Sequence, residues 1–338
     1  MRLLDYPPPG WDERIAFPTL AVGFAEASRH LAYRPLYVES EDNTALVLVR
    51  SVPLPLLGSW TRRAKIYLSR TDGPFLRTLV EKLGAMGIAS VRIGDSAWGM
   101  QGAIGWPPIR PVVRHVFLHD LTLPESQHLA QMKNPIPTQI RRAAREGVTV
   151  REVRTDEDMR HYCRLLEETI GRMRERGVTA IYPEQFFWTV FREMVPRGQA
   201  LFLLAWADSV ALAGGMFLTS HDRLTYYMGG STRDRALTGK QGPTAMFWHA
   251  MRLGQRRGLK TFDMAAVTPT QDRSHPNRSV YLFKRDWGGT LTEVYTGEAI
   301  ISPTKHYFQE RVLSRVFDFI HPIYLTMFAR ASREPTGR

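Results

Sequence analysis

The segments LVEKLGAMGIASVRIGD (79–95) and FWHAMRLGQRRGLKTFDM (247–264) follow one order: the end of an apolar-faced helix, a glycine, a short strand and an aspartate. In the first, Leu76, Leu79, Val80 and Leu83 recur at helical spacing over 75–86, and Gly87 supplies the left-handed residue on which helices stop. Residues 90–93 then extend towards Asp95. In the second, Met246, Phe247, Ala250, Met251 and Gly254 share one face of a helix over 243–257, Gly258 stops it, and 261–264 return as a strand carrying Asp263. The two stop glycines are 171 residues apart in a chain of 338, half its length. That spacing predicts an internal duplication, two copies of one α/β unit.

The surroundings of each copy agree. Residues 44–52 (TALVLVRSV) and 64–69 (AKIYLS) predict strands before the first helix, which Gly73-Pro74 opens, and 112–118 predict another strand after a Gly/Trp/Pro-rich loop. Residues 200–206, 210–219 and 223–228 predict strands before the second helix, with Gly229-Gly230-Ser231 turning out of the last. The expected fold is α/β (α+β), with units at 1–145 and 146–338 joined by a helical connector. In that connector, QMKNPIPTQIRRAAREGVTV (131–150), Ile140, Ala143 and Ala144 mark one face and Arg141, Arg142 and Arg145 the other. Those arginines read either as a solvated face or as a cationic ridge beside a cleft.

A length of 338 accommodates two domains, and 43% hydrophobic with 23% charged residues excludes a disordered chain. Lys+Arg 45 against Asp+Glu 33 leaves +12, mostly arginine spread along the chain, which suits a phosphate-rich ligand, RNA or an anionic membrane face. The single cysteine, Cys163, excludes a disulfide scaffold and a cysteine-built zinc site, and fits a reducing compartment. Pro7-Pro8-Pro9 breaks any apolar run near the start, and no run of eighteen apolar residues exists, so neither a signal peptide nor a membrane span is expected. A cytoplasmic protein is expected.

GxGxxG, GxSxG, HExxH and the phosphate-loop pattern ending in Gly-Lys-Ser/Thr are all absent. His115 and His119 flank Phe117 on one strand face and read as a packed pair, so no metal is expected. Gly239-Lys240-Gln241-Gly242-Pro243 precedes a helix. Its amides and Lys240 could meet a phosphate, as at the pyrophosphate loop of acyl-CoA acetyltransferases, but Thr238 stands where the first glycine of that loop should fall. The loop reads equally as a simple helix entry. In SVYLFKRDWGG (279–289), Val280, Leu282 and Lys284 alternate with Tyr281, Phe283 and Arg285, which predicts a strand carrying a lysine towards a glycine turn.

Four stretches, IRRAAREGVTV (140–150), YYMGGS (226–231), RRGLKTFDM (256–264) and YLFKRDWGG (281–289), occur in the order and spacing that resemble the Fem family. Its members are aminoacyl-tRNA-dependent transferases that build peptidoglycan interpeptide bridges. The resemblance is clearest over 139–299 and implies two GNAT-like units in tandem, here of the short kind without a coiled-coil arm. Phe283 and Lys284 match the family's Phe-Lys pair near the acyl-transfer centre. Asp263 matches its Tyr/Phe-Asp-x-x-Gly motif, with Ala265 and Ala266 where glycine is usual, and is a candidate general base, a group of the substrate being the alternative. Tyr226, Tyr227, Gly229 and Gly230 are implied to bind substrate, with Met228 replacing a tyrosine, and Arg29 or Arg34 stands in for a phosphate-binding lysine. After Arg174-Glu175-Arg176-Gly177, Ile181-Tyr182-Pro183-Glu184-Gln185-Phe186 lacks the Arg and Tyr of the Arg-Pro-x-x-Tyr-Phe motif by which relatives take UDP-MurNAc-pentapeptide.

The resemblance implies transfer of an amino acid from aminoacyl-tRNA to a primary amine of a peptidoglycan precursor, as UDP-MurNAc-pentapeptide or its lipid-linked form, with no further cofactor. Arg141, Arg142, Arg145 and Lys240 would meet tRNA phosphates. Two alternatives stay open: an N-acyltransferase using acyl-CoA on a cell-envelope sugar or lipid precursor, and a non-catalytic RNA- or membrane-binding protein. The apolar stretch 316–329 (VFDFIHPIYLTMFA), flanked by Arg311, Arg315 and Arg330, reads as a docked helix kinked at Pro322 or as a peripheral membrane contact.

Overall fold

The computed structural model describes residues 1–54, 58–94, 109–175, 182–275 and 277–308. The first half comprises β1 (Arg2–Leu4), α1 (Trp11–Arg14), α2 (Val22–Arg29), β2 (Arg34–Glu39), β3 (Thr44–Leu54), β4 (Gly58–Leu68), α3 (Gly73–Ala85), β5 (Ile88–Ile93) and β6 (Ile109–Asp120). Two connector helices follow, α4 (Glu125–Gln131) and α5 (Ile136–Arg145). The second half comprises β7 (Thr149–Glu152), α6 (Asp156–Glu175), α7 (Glu184–Met194), β8 (Ala200–Ala207), β9 (Val210–Thr219) and β10 (Arg223–Ser231). After these come α8 (Arg235–Thr238), α9 (Gly242–Arg256), β11 (Thr261–Val267), α10 (Arg278–Asp286), β12 (Thr290–Ile300) and α11 (Pro303–Phe308).

The duplication is visible in the topology. Asp72 caps α3 by accepting from the Phe75 amide at 2.9 Å, and Gly87 ends the passage at φ 80° before β5, which lies parallel to β4. In the same way α9 ends at Gly258, φ 72°, and β11 lies parallel to β10. Each half is thus built on a strand–helix–strand crossover. All the described strands form one twelve-stranded sheet ordered β1-β2-β3-β4-β5-β12-β6-β11-β10-β9-β8-β7. The final strand of each half crosses over, β6 pairing with β11 and β12 with β5.

Three cores follow from the alternation of side chains along these strands. One packs α3 through Leu76, Leu79 and Leu83 onto Val47 and Ile66, and a second packs α9 and α10 onto β8, β9 and β11 through Met246, Phe247, Phe262 and Trp287. The third occupies the other sheet face and joins the halves, with Phe24 of α2 and Tyr37 sharing a cluster with Phe186, Phe187 and Phe202. Each such buried side chain contributes about 1.5–3 kcal/mol.

Three expectations need correction. The stretch 279–289 is helical, as α10, because its buried residues Tyr281 and Lys284, with Trp287 beyond, recur every three residues; a lysine on the buried face disguised that period. Gly229-Gly230-Ser231 does not turn out but stays in β10, paired with Gly215, Gly214 and Ala213. On α5 the inward residues are Ile136, Ile140 and Ala143, while Ala144 is exposed. Among the described residues no helix is long and apolar enough to cross a membrane. Asp95, Arg176, Gly177, Ile181 and the apolar stretch 316–329 with its flanking arginines lie outside the described residues.

Candidate active site

Strands β10 and β11 pair only from Arg223–Thr261 to Thr225–Asp263. Beyond that point β10 stays with β9, while β11 stays with β6 through a bulge between Asp263 and Ala266, so a wedge opens between the two parallel strands. The bulge is held from both sides. Asp263, fully buried, accepts from the Ala265 amide at 2.7 Å, and Arg223 Nη1 lies 3.8 Å from its other oxygen. Ala265 sits at φ 63°, a conformation that glycine adopts freely and alanine at a cost of about 1 kcal/mol. From α10, the buried Lys284 donates to the Ala265 carbonyl at 3.1 Å and the Ala266 carbonyl at 2.9 Å. Burial pushes the ammonium down from 10.5 to about 8, and the charge of Asp263 opposes that fall. Two of its three donors are thereby used.

Phe283, the neighbour of Lys284, packs on Phe247 (5.6 Å between ring centres) and Trp287 (6.1 Å) and lines a pocket of about 210 Å³ with Gln139, Ser231, Leu237, Gly242 and Thr244. The pocket lies at the start of α9, where Gln241 takes φ 65° and Pro243 occupies the first turn. Connector helix α5 lies across this opening. Thr244 Oγ1 donates to Gln139 Oε1 at 3.1 Å, and the Arg142 guanidinium stands beside Gly239, 3.2 Å from where a Cβ would sit. Arg141 and Arg145 are exposed on α5, and Lys240 is half-buried in the adjoining loop. Arg172 of α6 closes the far side by donating to the Ser231 carbonyl and hydroxyl, both at 3.0 Å.

The residues carried over on β10 divide by face. Tyr226 is packed between Phe247 (4.9 Å) and Phe217 (5.6 Å), and burial pushes its phenol up. Tyr227 lies on the opposite face, stacked on Phe186 at 6.1 Å. Gly229 and Gly230 serve close packing, since a Cβ at Gly229 would lie 2.4 Å from the Gly214 carbonyl and one at Gly230 2.2 Å from that of Leu165. Arg29 and Arg34 lie in the first half, and each guanidinium meets an acid, Glu26 at 2.8 Å and Asp5 at 2.6 Å. The structure therefore brings Lys284 and Asp263 to the β11 bulge and Phe283 to the pocket, with Arg142 and Lys240 at the loop that leads into α9. Gln139, Thr244 and Arg172 were missed, because nothing in their local spacing separates them from ordinary helix residues. His119 is buried beside Met264, its imidazole lowered to about 4 chiefly by burial, while His115 lies 3.7 Å from Glu293. Among the described residues no group of three or more His, Cys, Asp or Glu is placed to hold a metal.

Residues 131–271 match the model of the acetyltransferase (GNAT) domain family. No curated protein matches the chain. Among solved structures, FemX superposes with a TM-score of 0.64 at 12% identity, over 86% of this chain and 93% of that one. L-PGS from Bacillus licheniformis gives 0.57 at 12% identity over 94% and 98%. The C-terminal domain (DUF2156) of a putative lysylphosphatidylglycerol synthetase from Agrobacterium fabrum gives 0.55 at 13% over 82% and 87%. At such identities the likeness is one of fold. The chain has the Fem-like tandem GNAT fold, and the residues that match the GNAT domain model span the connector and the wedge between β10 and β11.

Proposed function

We propose that the protein is an aminoacyltransferase that moves an amino acid from its tRNA ester to a primary amine of a peptidoglycan precursor peptide. The observation that carries this reading is the buried Lys284 held over the β11 bulge beside a small, capped pocket. In the reaction the amine nitrogen attacks the ester carbonyl, a C–N bond forms, and the ester C–O bond breaks. The amine loses a proton and the departing ribose oxygen gains one. Because the ester is already activated, the protein has to orient the two groups and stabilise the oxyanion. Lys284, about 80% protonated at pH 7.4 if it titrates near 8, retains one N–H for that oxygen. Presenting a lysine-type amine neutral at that pH costs about 4 kcal/mol, which a water-excluding cleft lowers. Asp263, turned towards the Ala265 amide and Arg223, acts in this scheme by holding the bulge and not as the base.

An acyl-CoA donor is less well supported. The pocket of about 210 Å³ falls below the ~300–1,000 Å³ usual for cofactor-sized ligands. Pro243 removes an amide from the helix start, and α5 lies over it through the Gln139–Thr244 bond. As for the acceptor, Tyr182 packs on Phe186 (5.5 Å) and Tyr227 (6.4 Å), an aromatic wall where relatives place an arginine and a tyrosine. This leaves the acceptor open between the UDP and lipid-linked forms, and the reaction would run on the cytoplasmic side, where charged tRNA is found. The test is to incubate the protein with a charged tRNA pool and each acceptor and weigh the products. An aminoacylated precursor that disappears when the donor is treated with RNase is expected; product that survives RNase and requires acyl-CoA overturns the donor.

A further inference from the structure

Strands β3 and β4 run on past the neighbours that hold them in the sheet. β2 pairs with β3 as far as Val49, and β5 with β4 as far as Arg62. The β3–β4 ladder continues through Arg50–Arg63, Ser51–Arg62 and Val52–Thr61 to Leu54–Gly58. Among the described residues no other strand flanks this end, so it stands as a two-stranded ribbon, about 13 Å long from Arg50 to Leu54. A ribbon of two strands is marginal in water by itself.

Its sequence makes water a poor neighbour. Residues 51–61, SVPLPLLGSWT, carry no charge, and Val52, Leu54 and Trp60 are among them. Over the whole hairpin, 44–68, every charged residue is a cation: Arg50, Arg62, Arg63 and Lys65. They collect at the root of the ribbon, on both faces. Arg50 and Arg63 are cross-strand partners on the face of Leu48 and Tyr67, while Arg62 lies on the face of Ala64 and Ile66. Arg50 is exposed over Tyr33 (5.9 Å), and Arg62 donates to the Met86 carbonyl (3.2 Å) just past the end of α3. An uncharged, apolar end above a collar of cations, with a tryptophan beside it, is the pattern of a segment that enters the lipid–water interface of an anionic membrane. The competing occupant is a second copy paired along the ribbon edge. Pro53 removes an amide donor from β3, and Pro55 follows two residues on in the sequence, so the edge is a poor template for pairing. At about 13 Å the ribbon falls far short of the ~30 Å hydrocarbon core, so it enters one leaflet and spans nothing.

We propose that this ribbon docks the protein on an anionic bilayer, its apolar end in the interfacial layer and Arg50, Arg62 and Arg63 on the headgroup phosphates. The inference goes beyond the aminoacyltransferase reading, and its test needs no acyl transfer. The full chain is floated with vesicles of equal parts phosphatidylglycerol and phosphatidylcholine, and with vesicles of phosphatidylcholine alone. Binding to the first that weakens with salt is expected. Arg50→Gln should lower that affinity about fivefold. Leu54→Ser with Trp60→Ser should lower it about tenfold or more, with Tm measured alongside. Should the double variant fail to fold, a polarity-sensitive dye on Ser59→Cys carries the test, since the native thiol, Cys163, is buried and the label goes to the new one. Its emission is expected to shift to the blue on the anionic vesicles. Wild-type binding by a folded double variant, unshifted emission from vesicle-bound protein, or no binding by the wild type overturns the proposal. A concentration-dependent dimer that the double variant abolishes would give the ribbon to a second copy and overturn it as well. Absence of product from charged tRNA with vesicle binding intact would fail the transfer reading alone.

Discussion

Lys284 is tied to the fold because two backbone carbonyls on β11 accept hydrogen bonds from its ammonium. Its ammonium is lowered from 10.5 to about 8, so between those pH values the unfolded chain binds more protons than the folded one. Stability should therefore rise as pH climbs through that window, by up to about 3 kcal/mol from this group. Denaturant titrations at pH 7.5 and 10 should show the rise in wild type and its loss in Lys284→Met. In the same variant kcat should fall about a hundredfold or more, the scale seen when one oxyanion donor is removed; near-normal kcat would reduce Lys284 to a packing role. Asp263→Asn removes the negative charge that supports the ammonium. If activity needs protonated Lys284, the alkaline limb of the pH–rate profile should move below 8, and an unmoved limb would separate Asp263 from Lys284. Ala265→Gly should relieve the left-handed backbone at φ 63° and be neutral or stabilising by up to about 1 kcal/mol, read as a higher Tm.

At the scale of elements, α5 is where the arginine ridge meets the site. The Arg142 guanidinium stands by Gly239, while Arg141 and Arg145 are exposed beyond the pocket. Neutralising Arg141, Arg142 and Arg145 together should weaken binding of charged tRNA and flatten its salt dependence without lowering Tm; unchanged affinity across a salt series would remove α5 from the RNA path. The helices α3 and α9 were legible because their apolar residues keep helical spacing and each ends on a left-handed glycine. Helix α10 was not, since its buried face carries Lys284, a residue whose type signals solvent. The bulge at Ala265 was legible only as a missing glycine. Its conformation depends on Asp263, Lys284 and the register with β6, contacts that no local spacing encodes.

The whole molecule resists division at the connector, and that bears on how the site is held. Strand β6 belongs by sequence to the first half, yet both its neighbours, β11 and β12, come from the second. Strand β12 belongs to the second half, yet lies between β5 and β6. Such pairings join segments more than a hundred residues apart, and sequence periodicity, which reads faces and not partners, is silent on them. Separately produced fragments 1–145 and 146–338 would each expose long unpaired strand edges, the kind that drive aggregation. The third core would be split as well, with Phe24 and Tyr37 on one side and Phe186 and Phe202 on the other. Each fragment alone is expected to aggregate, and the co-expressed pair to purify as a complex that melts in one transition. A fragment that stays soluble and melts cooperatively alone would show that the exchanged strands are dispensable. The candidate site makes dispensability costly: β6 pairs Leu118 with Asp263 and Val116 with Ala266, bracketing the bulge to which Lys284 is bonded. Loosening β6 should therefore lower kcat as well as Tm, and a Val116→Gly variant assayed well below its own lowered melting point should show the loss of kcat while still folded.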